Sequence, residues 1–235
     1  MSNFNLPAVL FSLAAWGLII FSAVFIYRRK EIKLKTWKII FVMVIGLFSF
    51  SFKMHFFGEI IQISILPLGV WILFGVLRRK EGRWQAYRPY AWLGFAANFI
   101  FLISSLLSIS VHHMLFPRDV ASTYVSNIHS PSVIVIHPSG KEEMVDSKKL
   151  QTAVENMKEE ELNIFNWHDQ TASLDRTQVV ETFPYVLKGT SSKWGSGIET
   201  LVYVAKDGKG ILITSKEKQH YFRSPDSIFE GVDEE

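Results

Sequence analysis

The chain of 235 residues contains no cysteine. That excludes disulfide staples, thiolate-bound zinc, iron–sulfur clusters and thiol nucleophiles, although it does not fix the compartment. Gly-x-Ser-x-Gly, His-Glu-x-x-His and phosphate-loop patterns are also missing, so no familiar catalytic signature carries a reaction here. The third absence is of charge. Leu6–Tyr27 and Pro89–Pro117 contain no Asp, Glu, Lys or Arg.

The Pro89–Pro117 stretch organises the rest. A helix of that length would cover roughly 40 Å, more than the ~30 Å hydrocarbon thickness of a bilayer. Before it, apolar runs alternate with short basic clusters. After it, the composition is that of a soluble domain. Residues 1–116 hold twelve Lys/Arg against three carboxylates, whereas residues 117–235 hold thirteen against nineteen, so the overall +3 is a cancellation of unlike halves. The basic half concentrates its charge in loops, which suits anionic lipid head groups rather than nucleic acid. No nucleic-acid-binding domain is indicated.

This pattern predicts a membrane α-helical region of four transmembrane helices (residues 1–116) followed by a small soluble α+β domain (residues 117–235). The spans fall at about 6–27, 39–57, 60–77 and 91–113. Pro7 lies in the first turn of the first span, where proline is tolerated. That run is followed by Arg28-Arg29-Lys30 and preceded by no basic residue, the reverse of a cleaved signal peptide. Gly58 permits a reversal between the second and third spans, and Pro67 predicts a kink in the third.

Orientation follows from loop charge. The loops Arg28–Lys38 and Arg78–Arg88 hold eleven Lys/Arg, while the N-terminus and the 53–59 turn hold only Lys53. Both termini and residues 117–235 are therefore expected outside the cytoplasm of a plasma membrane. Arg-Arg-Lys-Glu occurs at 28–31 and again at 78–81. A duplicated hairpin would produce this, but so would basic clusters at each cytoplasmic loop, and the poorly matching flanks favour the second explanation.

In the soluble half, Ser132–His137 followed by Pro138-Ser-Gly-Lys141 predicts a hairpin over 132–146. Asp146 or Ser147 is placed to cap a helix over 148–161, with Leu150, Val154 and Met157 on one face. Leu162–Trp167 reads as a further strand, Gln178–Val186 is ambiguous, and Gly189–Gly197 is a loop. Thr200–Ala205, Gly210–Thr214 and His220–Arg223 predict a meander.

The most suggestive chemical grouping is topological. Lys53, His55 and Glu59 fall at the outer end of the second and third spans, and His112 and His113 at the outer end of the fourth. Imidazole with carboxylate can ligate a metal, accept haem or titrate near neutral pH. Adjacent histidines on a helix point ~100° apart, however, so at most one faces a bundle interior. Simple toleration at the head-group boundary is the better reading, and no metal or cofactor is expected. Lys53 and Glu59 either pair across the turn or are solvated separately. His129, His137, His168 and Asp169 lack metal-ligand spacing. Trp194, within GTSSKWGSG, is either a core plug or an exposed partner contact, with the plug favoured. Between the interfaces only Gln62, Asn98 and serines are polar, too little for an autonomous transport path.

The function expected is that of a non-enzymatic membrane protein whose extracytoplasmic domain senses or binds something, accessory to another membrane protein or self-associating. The competing expectation is a membrane-embedded enzyme or transporter subunit that uses the outer-face histidines and Glu59.

Overall fold

The computed structural model describes residues 4–30, 34–56, 59–161, 181–215 and 218–230. The chain divides into two compact units, Pro7–His112 on one hand and Met1–Leu6 with His113–Glu235 on the other.

In the first unit, α1 (Leu6–Arg29) and α4 (Arg83–Leu115) are the helices long and apolar enough to cross a membrane. Most of their surface is uncovered within the chain, unlike a soluble core helix. Arg28 and Arg29 occupy the last turn of α1, where the helix dipole favours cations. Helix α4 starts well before the predicted boundary near 91 and runs through Pro89. Ser104 Oγ donates to the Phe11 carbonyl at 2.8 Å, and the rings of Trp16 and Phe101 meet edge-on at 5.2 Å, so α1 packs on α4.

The second and third predicted spans require correction. Instead of helices over 39–57 and 60–77, the chain forms α2 (Thr36–Gly46), β1 (Phe50–Phe56), β2 (Glu59–Leu66) and α3 (Leu68–Leu77). Each predicted span is part helix and part strand, and β1 and β2 pair as an antiparallel hairpin. The physical reason is a change of period. Ser51, Lys53 and His55 alternate with Phe50, Phe52, Met54 and Phe56, and β2 is rich in β-branched isoleucine. Such residues fit a pleated ribbon. Hydropathy over a long window registers the apolar content and misses the alternation. Pro67 stands at the junction between β2 and α3 and does not kink a helix. Gly58, the expected reversal, lies outside the described residues. The arms following the repeated Arg-Arg-Lys-Glu also differ, one being the 11-residue α2 and the other the 33-residue α4.

Glycine lets the short helices approach closely. A Cβ on Gly94 would run into the Met43 carbonyl and stand 3.0 Å from the Gly46 Cα, and one on Gly46 would strike the Ala91 carbonyl. Thus α2 crosses α4 backbone to backbone, the small-residue mode of packing found where no hydrophobic force drives helices together. Gly69 is similarly jammed against the Ile45 carbonyl, and its N–H donates to the Phe48 carbonyl at 2.7 Å. Around these crossings Ile39, Val42, Val70, Leu73, Tyr90 and Ala91 are buried together.

Among the described residues the second unit holds a six-stranded antiparallel sheet, one α-helix and a 3-10 turn at Ala121–Thr123. Its strands are β3 (Asn127–Val135), β4 (Lys158–Glu160), β5 (Tyr185–Ser191), β6 (Thr200–Val204), β7 (Gly210–Ser215) and β8 (Gln219–Arg223). They run in the order β3-β5-β6-β7-β8-β4. The β6–β7–β8 meander agrees with the expectation from sequence. The hairpin over 132–146 does not form: β3 pairs with β5, Val133 opposite Leu187 and Val135 opposite Tyr185. Residues 141–143 are charged and offer nothing to a core, whereas Tyr185 and Leu187 are buried. The Pro138–Lys141 turn persists, with Gly140 N–H bonded to the His137 carbonyl at 3.0 Å.

Helix α5 (Ser147–Asn156) is capped by Asp146, whose carboxylate accepts from the Lys148 and Lys149 N–H groups at 2.7 and 3.3 Å. It stops short of the predicted Glu161 because Met157 turns extended and Lys158–Glu160 joins β8 as an edge strand. Leu150, Ala153 and Val154 pack into one core with Tyr185, Ile211, Ile213, Phe222 and Phe229. The strand expected over Leu162–Trp167 lies outside the described residues.

The glycine crossing yields a paired expectation. Gly94→Leu forces a side chain into backbone and should destabilise the first unit by at least the ~1–3 kcal/mol of ordinary overpacking. Gly75→Leu, where nothing lies within 4 Å of an added Cβ, should be nearly silent. Thermal unfolding of the two variants in detergent measures the difference, and equal midpoints would contradict the crossing.

Candidate functional site

The polar side chains embedded in the apolar runs are the first place to look for chemistry. Lys30, Ser49, Gln62, Ser64, Asn98, Ser104 and Ser110 are engaged with backbone or with another side chain. Helix α2 ends at Gly46, and the Leu47 carbonyl beyond it receives the Asn98 amide at 3.1 Å. Pro89 has no N–H to give to the Gln85 carbonyl four residues back. The Lys30 ammonium stands in, donating to Gln85 O at 3.1 Å and Ala86 O at 3.3 Å. On the hairpin, Gln62 donates to Ser51 Oγ, and Ser49 Oγ bonds Ser64 Oγ at 2.9 Å. Tyr90 is the exception. It is fully buried, and its hydroxyl has no partner among the described residues.

Gln62, Ser64, Asn98 and Ser105, with Ile60, Ile61, Phe101 and Leu102, line a cleft of about 290 Å³ between β2 and α4. Its amide N–H groups are directed at Ser51, Leu47 and Phe95, so the polar lining serves the fold. None of the described residues that line it carries a side chain that titrates near neutral pH.

The outer-face grouping separates as follows. His55 lies exposed on β1 opposite Ile60, and Glu59 opens β2 opposite Phe56. His112 and His113 occupy the last turn of α4, both half-buried. Lys53 faces Gln62 across the hairpin, three residue pairs away from the Phe56–Glu59 pair. Among the described residues, no three His, Asp or Glu side chains gather closely enough to hold a metal ion.

In the second unit, His137 Nδ1 accepts the Ser139 N–H at 3.2 Å and contacts its hydroxyl at 2.9 Å, a turn-stabilising role. His129 lies in the irregular part of β3, where the register shifts between Ile128 and Ser132. His168 and Asp169 lie outside the described residues. One pairing was missed from sequence: His220 Nδ1 meets Glu159 Oε1 at 2.6 Å, with the imidazole stacked on Tyr124. The two residues are 61 positions apart, and only the β4–β8 pairing brings them together.

Trp194 is the clearest departure. It does not plug the core, being 70% exposed. The loop beneath it is closely tied. Lys193 N–H donates to the Thr123 carbonyl at 3.0 Å, Ser196 N–H to the Lys193 carbonyl at 3.1 Å, and Ser192 Oγ to the Ile198 carbonyl at 2.6 Å. Gly195 and Gly197 adopt φ of +82° and +67°, a region open to glycine at little cost. The chain's own N-terminus closes the loop: Leu6 N–H donates to the Gly195 carbonyl at 2.9 Å, and Asn5 bridges Ser196. The Phe4 ring tilts against Trp194 at 6.2 Å. The glycines that turn the loop also leave room for Asn5 and Leu6, whose Cβ atoms would lie 3.0 and 3.1 Å from added Cβ atoms at Gly197 and Gly195. This leaves an indole held outward on a short, braced loop.

No family model, curated protein or solved structure matches this chain.

The embedded polar groups should respond differently to substitution. Asn98→Leu strips the Leu47 carbonyl of its donor and should cost about 1–3 kcal/mol, the usual penalty for a buried unsatisfied group. Tyr90→Phe removes a hydroxyl that has no partner among the described residues and should be neutral or stabilising. Unfolding midpoints of both variants in detergent check this, and a neutral Asn98→Leu would contradict the capping role.

Proposed function

We propose that this chain is a non-enzymatic, multi-pass protein of the plasma membrane that presents an extracytoplasmic α+β domain for binding or sensing, as an accessory to another membrane protein or to a second copy. The observation that carries this reading is the engagement of Lys30, Gln62 and Asn98 with backbone and strand partners. Transport and membrane-embedded catalysis need polar groups free to meet a substrate. Lys30 and Asn98 instead bridge the interruptions in the helices, and Gln62 ties the two strands of the hairpin.

By length alone the mixed segments allow four crossings. An 11-residue helix followed by a 7-residue strand covers roughly 16 Å plus 23 Å, enough to traverse ~30 Å of hydrocarbon. On this reading α1, α2–β1, β2–α3 and α4 cross in turn. The basic segments 28–38 and 78–88 then lie on the cytoplasmic side against anionic head groups. The pairing of Asn5 and Leu6 with the Trp194 loop supports placing the N-terminus on the same side as the domain.

Two experiments test the proposal. Because the chain has no cysteine, Met144→Cys, at a site 72% exposed, gives a single labelling site. An impermeant thiol reagent should modify it in intact cells, and labelling only after lysis would reverse the orientation. Crosslinking in native membranes should recover a discrete protein partner or a homo-oligomer. Purified protein carrying stoichiometric metal or a haem absorbance band would instead favour catalysis or transport by the outer-face histidines.

A further inference from the structure

We propose that the Lys193-Trp194 tip is a lipid-interface anchor, which seats the extracytoplasmic domain on the head-group layer at the start of α1. The inference rests on the membrane reading above and goes beyond it by naming what Trp194 meets.

Three observations converge on the tip. The first is presentation: Trp194 is exposed, yet both sides of it are fixed by backbone hydrogen bonds from Lys193 and Ser196. The ordering entropy of the loop is therefore already met before any surface is engaged. The second is chemistry. Exposed Phe4, Met114 and Leu115 belong to the same compact unit, and the Lys193 ammonium lies 5.8 Å from the centre of the Phe116 ring. An indole with an apolar body and an N–H, beside a lysine, suits a layer that is apolar below and anionic above.

The third observation is position. The tip is hydrogen-bonded to Leu6, the first residue of one long apolar helix, and Met114 and Leu115 end the other. A residue tied to the place where a membrane helix begins lies at head-group depth. A water-borne ligand would have to approach this tip at that same depth, which favours lipid as the occupant.

The test uses the full chain in vesicles of phosphatidylcholine and phosphatidylglycerol, with one nitroxide per variant. Trp194→Cys and Lys193→Cys place the label at the tip, and the second keeps the indole in place. Phe21→Cys, on the exposed face of α1, and Leu201→Cys, on β6, are references. Collision with oxygen and with a water-soluble nickel chelate reports depth. Both tip labels should fall between the references, with the nickel contribution reduced relative to Leu201→Cys and further reduced in vesicles containing phosphatidylglycerol. Tip labels as open to nickel as Leu201→Cys would overturn the anchor while leaving the membrane reading intact. Tip labels shielded from both reagents would overturn it in favour of a protein contact. A Phe21→Cys label open to nickel would overturn the membrane reading and the anchor together.

Discussion

A backbone carbonyl without a donor is costly wherever water is scarce, and the first unit is arranged around that cost. Its two long helices satisfy most of their own backbone groups, with α4 interrupted at Pro89. Its two short ones do not, because each adjoins a strand within an apolar run. The break after α2 leaves the Leu47 carbonyl to Asn98, and Gly69 N–H covers Phe48. Pro89 breaks the ladder of α4 without ending it, since Lys30 reaches across 55 residues to Gln85. Asn98 and Lys30 thereby mark places where regular helix fails.

Donors alone would not position these elements. Asn98 reaches the end of α2 because Gly46 and Gly94 allow the two backbones to touch one helical turn away. A larger residue at either position would separate α2 from α4 and lengthen the Asn98 bond beyond use. Small residues and polar residues therefore act together: the glycines supply proximity, and the amide turns it into a satisfied carbonyl. The arrangement suits an apolar surrounding, where packing and hydrogen bonds rather than the hydrophobic effect hold helices together.

The second unit obeys the opposite economy. Burial of Leu150, Ile211, Ile213 and Phe222 drives it, as in any soluble core. Its helix is fixed by a cap and its sheet by side-chain alternation. What distinguishes it is the short N-terminal segment, Phe4–Leu6, that it borrows from the far end of the chain. Those residues complete the Trp194 loop, so the most exposed aromatic tip of the domain is braced by the lead-in to α1.

The sequence by itself determined the division into an apolar, basic half and an acidic α+β half, the two long helices, a capped helix start at Asp146 or Ser147 and the β6–β7–β8 meander. All of these are local: they depend on hydropathy, charge order and residue period within a few turns of chain. It also flagged Asn98 and Gln62 as unusual without saying why. Only the tertiary structure decided the rest, because the deciding interactions are distant in sequence. Phe50–Leu66 became a hairpin when two weakly alternating segments paired with each other. Val133 passed over its neighbours for Leu187, because strand pairing is chosen by which partner completes the core. Trp194 faced outward because Asn5 and Leu6, nearly two hundred residues earlier, occupy the space beside its loop. Composition records that a tryptophan is present; the side it faces depends on what the fold has already placed beneath it.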